Sequence, residues 1–223
     1  MSYIVTDLTL MSNGNACIAC IDEDSLQCFR PLFQPEFYRK ISWYVGNGIQ
    51  HGTKLNLMLS EMPTSRPHKE DTACALIQKS GILCDADMKN ILDLTSVTSI
   101  EDGFGVCPNV GSKYFSYDSD LPDCSIITLK TSPDRIEIHQ DGYNVGRVRI
   151  GLEDGKGFTL SWLPVTDLRC VNISDDDFES INENLESATS IFLRLGLTRR
   201  YASPRGENQD GYWVQVNGLY MFS

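Results

Sequence analysis

The chain has 223 residues, of which 30 are Asp or Glu and 19 are Lys or Arg, so its formal net charge is −11. This length corresponds to one large domain or two small ones and is enough to bury a substantial core. An apolar fraction of 41% and a charged fraction of 22% are typical of globular proteins, which excludes wholesale disorder and fibrous classes. The net acidity argues against a broad basic face that coats duplex nucleic acid.

Membrane insertion and export are not indicated by the sequence. No apolar run approaches the ~20 residues of a membrane-spanning helix. The first residues, Met1 to Asp7, lack the basic start and apolar stretch of a signal peptide. We therefore expect a cytoplasmic protein with no membrane partner.

The eight cysteines are predicted to be reduced thiols, because nothing marks the chain for export. Cys17 and Cys20 have the spacing of half a zinc site. The segment 16–21 reads as a strand, however, and a strand directs positions 17 and 20 to opposite faces. We expect neither a bound metal nor another cofactor.

Most of the chain alternates apolar and polar residues with the period of two that is typical of β-strands. The segments with strand character are 16–21, 26–33, 54–60, 125–130, 135–140, 143–150, 158–162 and 212–222. Residues 22–25 predict an acidic hairpin tip. Asp141-Gly142 predicts a two-residue turn, since this pair tolerates positive φ at both positions.

Two helices are predicted. One covers Asp85–Leu94. The other follows Ser174, a favourable N-cap, and its first residues are three aspartates that suit the positive helix N-terminus. Phe178, Ile181 and Leu185 share one face of this second helix, which spans residues 175–187 and predicts an amphipathic surface helix.

The least patterned stretch lies around residues 100–111, which contain three glycines and a proline. A boundary there gives an N-terminal unit of residues 1–110 and a C-terminal unit of residues 111–223. OB-folds have this size, although alternation alone does not distinguish them from other small barrels or sandwiches. We predict a mostly β protein with few helices, made of two OB-like β-barrels packed together.

Several ordered motifs resemble the prokaryotic dual OB-containing domain family. They are Thr6-Asp7-Leu8-Thr9, Cys17 to Asp22, Arg30-Pro31, Pro67-His68-Lys69-Glu70-Asp71, Thr166-Asp167-Leu168, Leu195 to Arg199 and Trp213 to Tyr220. The resemblance implies two OB folds and a cytosolic prokaryotic setting, often beside NTP-dependent conflict or defence systems. It brings no settled biochemical activity. Arg200 departs from the pattern, where proline is expected.

Charge is unevenly distributed near the C-terminus. Residues 174–187 hold six acidic residues and no basic one, whereas residues 188–206 hold four arginines and no acidic residue. The predicted ligand-binding residues in this part are Arg199, Arg200, Tyr201 and Arg205, with Gln215 and Asn217 pointing outward beside them. Arginine on phosphate and aromatic rings under bases are the usual grip on single-stranded nucleic acid. A salt-bridged seam with the acidic helix and a protein-binding surface are the alternatives.

A second cluster, His68, Glu70 and Asp71, combines an imidazole with two carboxylates. Such a loop suits proton transfer or metal ligation. The alternative is a structural loop in which an acidic side chain caps a turn at residues 71–73 and His68 bonds to a backbone carbonyl.

The chain contains neither a glycine-rich phosphate-binding motif nor a nucleophile elbow. The first functional hypothesis is a non-enzymatic recognition module for single-stranded nucleic acid or a nucleotide, in a prokaryotic defence or conflict system. A protein-interaction adaptor in such a complex is the alternative. A metal-dependent hydrolase that uses His68, Glu70 and Asp71 is the third.

Overall fold

The structure, a computed structural model, describes residues 2–33, 36–203 and 209–223. The chain is mostly β and forms two compact units, Met1–Thr95 and Ser96–Ser223. Each unit is an OB-like β-barrel. The second unit begins earlier than the boundary predicted near residue 110, because the short strand at Ser96–Val97 pairs with a strand of that unit.

The described residues of the first unit form six strands and two helices. They are β1 (Tyr3–Leu10), β2 (Asn15–Asp22), β3 (Cys28–Phe33), β4 (Arg39–Lys40), α1 (Ile41–Gly46), β5 (Thr53–Ser60), β6 (Asp71–Ile82) and α2 (Asp85–Leu94).

Five of these strands close into a barrel in the order β1-β5-β6-β3-β2, since β1 also pairs with β2. The β3–β6 pair is parallel and aligns Arg30 with Asp71, while the other barrel pairs are antiparallel. The core contains Ile4, Ile18 and Leu55, which are almost completely buried. The loop between β5 and β6 is therefore the connection between the fourth and fifth barrel strands.

In the second unit, residues 96–203 and 209–223 form nine strands and two helices. They are β7 (Ser96–Val97), α3 (Ile100–Phe104), β8 (Tyr114–Ser116), β9 (Ile126–Thr131), β10 (Ile136–Gln140), β11 (Val148–Glu153), β12 (Thr159–Pro164), α4 (Asp175–Ser187), β13 (Ser190–Leu197), β14 (Tyr201–Ala202) and β15 (Asp210–Phe222).

The barrel strands of the second unit have the same order as those of the first. The barrel is more open, because its strands belong to two separate sheets. A curled sheet runs β14-β15-β13-β9-β7, and a separate sheet runs β10-β11-β12. β9 and β10 together form the first barrel strand, interrupted by a 3-10 turn at Pro133–Arg135. A parallel bridge between Val165 and Val216 connects the third strand to the fifth. Consequently β11 and β12 are the second and third barrel strands, and residues 198–209 connect the fourth to the fifth.

Local sequence signals predicted many of these elements. The helix predicted at Asp85–Leu94 is α2, and the one predicted at 175–187 is α4. A capping box starts α4, in which Ser174 and Asp177 exchange side-chain and backbone hydrogen bonds. Each predicted strand overlaps an observed one.

Two local predictions are wrong. Residues 71–73 do not form a turn, because they begin β6 and pair with β3. Asp141-Gly142 is not a two-residue turn, since β11 begins only at Val148. The Asp141 carboxylate instead accepts hydrogen bonds from Tyr143 N at 3.0 Å and from Asn144 Nδ2 at 3.0 Å, which folds a longer loop.

The eight cysteines are free thiols. Cys17 and Cys20 lie on β2 as predicted, and Cys20 is completely buried. Burial raises the pKa of the Cys20 thiol well above its usual range. Among the described residues, no helix is both long and apolar enough to cross a membrane.

Candidate functional site

A β-bulge in β12 turns Trp162 outward on the second barrel. Ile150 pairs with Leu163 and Leu152 pairs with Leu160, so Gly151 alone faces both Ser161 and Trp162. Trp162 takes a φ of 56°, a left-handed conformation that is uncommon for a bulky residue. Its side chain is 51% exposed, whereas Leu160 and Leu163 are buried. Bulges of this kind redirect a side chain and often lie beside functional sites.

One face of the Trp162 indole is covered by His139 of β10. The two rings stack with centroids 4.9 Å apart and an interplanar angle of 26°. His139 Nε2 lies 3.4 Å from Glu137 Oε2 on the same strand. The stacked pair is a preformed aromatic platform on the side of the barrel formed by β10, β11 and β12.

Two cations approach the backbone of Trp162. Lys113 Nζ donates a hydrogen bond to the Trp162 carbonyl oxygen at 3.3 Å, and Arg149 Nη1 approaches the same oxygen at 3.5 Å. Burial and the nearby Arg149 charge lower the pKa of Lys113. The site therefore places two positive charges close together at the backbone carbonyl of Trp162.

Asp141 fixes the position of Arg149. Its carboxylate oxygen Oδ2 accepts from Arg149 Nε at 2.8 Å and lies 2.8 Å from Nη2. Burial opposes ionisation of Asp141, but hydrogen bonds from Asn144, Tyr143 and Arg149 outweigh it and lower its pKa to about 2. Nη1 of Arg149 does not contact Asp141. It approaches the Trp162 carbonyl oxygen, to which Lys113 also donates.

A second aromatic pair lies next along the chain from Lys113. Tyr114 of β8 stacks on Trp213 of β15, with centroids 4.7 Å apart. Trp213 Nε1 donates to the Tyr201 carbonyl oxygen at 3.2 Å. This bond connects the pair to the loop between the fourth and fifth barrel strands, where Tyr201 is 53% exposed.

Arg200 extends the same surface. Its guanidinium lies over the Tyr117 ring, 3.4 Å from the centroid, and forms a bidentate pair with Asp210. The hydrogen bonds with Asp210 raise the pKa of Arg200 and lower that of Asp210. Arg200 thus pairs with β15 and not with the acidic helix α4, so the predicted seam is not formed by this arginine.

We call the eight residues that make these contacts the aromatic–basic band. It consists of His139, Trp162, Arg149, Lys113, Tyr114, Trp213, Arg200 and Tyr117.

The structure separates the residues that were predicted to bind a ligand. Arg200 belongs to the aromatic–basic band and Tyr201 adjoins it, while Arg199 follows β13 in the same connection. Arg205 lies outside the described residues. Gln215 is half-buried and donates to Asn217 at 2.9 Å.

The prediction that Asn217 points into solvent is wrong. Asn217 is the extra residue of a bulge in β15. Its amide oxygen also accepts from Thr166 Oγ1 at 3.2 Å. A Cβ atom on Gly196 of the neighbouring strand would overlap the Asn217 amide. Asn217 is therefore packed within the sheet, and its amide is used to hold the bulge.

The other predicted site lies in the first barrel, in the loop between β5 and β6. Arg30 Nε lies 2.5 Å from Asp71 Oδ1, and Arg30 Nη2 lies 2.9 Å from His68 Nδ1. Because a guanidinium only donates, His68 Nδ1 accepts this bond. The Glu70 carbonyl oxygen accepts from Arg30 N at 2.7 Å.

All three predicted residues of this loop have little contact with solvent, since His68 is 7% and Glu70 8% exposed and the Asp71 side chain is 8% exposed. Within the described residues, no three His, Cys, Asp or Glu side chains are grouped as metal ligands. The geometry is that of a structural network around Arg30.

Sequence reasoning missed Trp162, His139, Lys113 and Arg149. Strict alternation along 158–162 puts Trp162 on the same face as the buried Leu160. One signal was available, because Leu160 and Leu163 are three residues apart, and two core positions with odd spacing in a strand imply a bulge. No local signal indicates the approach of Lys113, which is 49 residues away from Trp162.

Comparison of the sequence with known protein families and curated proteins gave no matching family model and no matching curated protein. The function is therefore argued from the geometry above.

Proposed function

We propose that the second barrel binds single-stranded nucleic acid or a nucleotide along the aromatic–basic band. The observation that carries this proposal is Trp162, a half-exposed indole held outward by a bulge beside Lys113 and Arg149. Stacking platforms combined with cations are the usual means of holding single strands. OB-folds bind oligonucleotides on their second and third strands and the flanking loops, which here are β11, β12 and the loop that carries Arg200.

The net charge of −11 agrees with a local contact and not with an extended one. Two of the three cations in the band are already paired with carboxylates, Arg149 with Asp141 and Arg200 with Asp210. Base stacking must then supply much of the affinity, which favours unpaired bases over a duplex.

The wider setting belongs to the same proposal. Two OB-like barrels agree with the resemblance to the dual OB-containing family, and with it we propose a non-enzymatic recognition module in a prokaryotic, cytosolic defence or conflict system. The adaptor and hydrolase hypotheses from the sequence stay predictions.

The test is fluorescence anisotropy with short single-stranded DNA and RNA. In Trp162→Gly, the ring is removed and glycine readily adopts the positive φ. Loss of one stacked base weakens binding by roughly 5- to 150-fold. Leu26→Gly is the matched control, because Leu26 has a φ of 58° in the first barrel.

Absence of binding at low salt, or equal binding by wild type and Trp162→Gly, would refute the proposal. Thermal unfolding of both glycine variants shows whether each is folded. Co-purification of a protein partner from nuclease-treated lysate, with no oligonucleotide binding, would favour the adaptor.

A further inference from the structure

We infer that Lys113 and Arg149 bind the phosphate of a nucleotide whose base stacks on Trp162. This inference rests on the proposed function and adds to it the position and number of the groups that are bound. The ligand is one nucleotide unit, either free or within a strand.

The donor geometry supports a phosphate at this point. Lys113 and Arg149 both direct nitrogen atoms at the Trp162 carbonyl oxygen. The Asp141 carboxylate contacts Nε and Nη2 of Arg149, so Nη1 is the guanidinium nitrogen that it does not contact. Among the described residues, no carboxylate lies within ion-pair distance of Lys113. An ammonium has three donors, so Lys113 keeps donors for a phosphate oxygen after it has bonded to the carbonyl.

The electrostatics agree with this geometry. Partial burial and the charge of Arg149 lower the pKa of Lys113, so its ammonium is less stable here than in water. An anion between the two cations removes that repulsion, and hydrogen bonds between charged groups are stronger than neutral ones. The site therefore favours a ligand that brings a negative charge next to its stacking group.

The ring geometry limits the number of bases. His139 already stacks on one face of Trp162, while Trp162 as a whole residue remains 51% exposed. A single base can then stack on the open face. Because the ring and the carbonyl belong to the same residue, the distance from base to phosphate is on the scale of one nucleotide.

The experiment is an NMR titration of the full chain with adenosine 5′-monophosphate, adenosine and inorganic phosphate, which follows the Trp162 indole and Lys113 side-chain signals. We expect the monophosphate to bind roughly tenfold or more tightly than adenosine, since its phosphate contacts two cations. Lys113→Gln should reduce that difference severalfold, because only Arg149 then contacts the phosphate. Lys79→Gln is the matched control, because Lys79 Nζ also donates to a backbone carbonyl, that of Gly48, at 2.7 Å.

Equal affinity for the monophosphate and adenosine would overturn the inference, and so would a preference that is undiminished in Lys113→Gln. If Trp162→Gly still weakens strand binding in that case, the phosphate position is wrong and the proposed function stands. If Trp162→Gly changes neither strand nor nucleotide binding, both fail.

Discussion

At the scale of the residue, the aromatic–basic band depends on a few side chains that hold others in place. Asp141 is the clearest, since its carboxylate accepts from Tyr143, Asn144 and Arg149 and so determines both the loop and the direction of the guanidinium. Removal of the carboxylate therefore affects the stability of the barrel and the position of Arg149 together.

Asp141→Asn should lower the free energy of unfolding at neutral pH by about 1–3 kcal/mol, because hydrogen bonds to a charged group are lost. The folded pKa of about 2 lies below that of an unfolded aspartate. The stabilisation is thus fully present above about pH 4 and is lost as the pH falls toward 2. Urea unfolding of wild type and variant between pH 7 and 2 measures it.

Asp120→Asn, at an exposed aspartate of the same unit, is the control for this experiment. The prediction would be contradicted if the free energies of unfolding of wild type and Asp141→Asn depended on pH in the same way throughout the acid range.

The outward direction of Trp162 and the residues around it could not be predicted from the sequence. The strand around it was predicted, but alternation assigns every second residue to the same face, and the bulge shifts that assignment by one. Its partners His139, Lys113 and Arg149 come from three other parts of the chain. The register of β10, β11 and β12 brings His139 and Arg149 to Trp162, and Lys113 arrives from the segment before β8.

At the scale of the element, the sequence predicted a helix or strand correctly where several local signals occur within a few residues. α4 has its N-cap, its acidic first turn and its apolar stripe within 13 residues, and it was predicted with its limits. β13 was missed, since all eight of its residues are buried and it shows no alternation. A continuous apolar run of this kind is equally compatible with a buried helix.

Ser174→Ala should destabilise the second barrel by about 1 kcal/mol, because the capping box at the start of α4 loses its side-chain acceptor. Thermal unfolding measures the effect as a lower melting temperature. The matched control is Ser187→Ala in the last turn of the same helix, where the hydroxyl donates only to the Asn184 carbonyl. Equal effects of the two substitutions would show that the capping box does not stabilise the helix.

At the scale of the whole molecule, the alternating pattern predicted the mostly β class, and the chain length together with the family resemblance predicted the two OB-like barrels. The same pattern placed the boundary near residue 110, because glycines made residues 100–111 look like a linker. In the structure Ile100 and Phe104 of α3 are completely buried in the core of the second unit. The two compact units divide before these residues, between Thr95 and Ser96.

The charge of the molecule sets the salt dependence of strand binding. With one phosphate bound by Lys113 and Arg149 together and a second bound by Arg200, the slope of log Kobs against log salt for a single strand should be roughly −1.4. A net charge of −11 disfavours any longer track of phosphates. Anisotropy titrations from low to physiological salt, on a single strand and on the matching duplex, measure both slopes.

A much steeper slope, or equal affinity for the duplex, would show that binding extends over a surface other than the aromatic–basic band.

The connection between the fourth and fifth barrel strands makes different contacts in the two barrels. In the first, Arg30 ties His68 and Asp71 to the third strand, so a change at any of the three needs a compensating change at another. In the second, Arg200 and Tyr201 project from the corresponding loop, and the pairing of β13 with β15 does not depend on their side chains. Chains that diverge from this one should therefore vary in the second loop as they acquire other ligands, and should keep Arg30 together with Asp71.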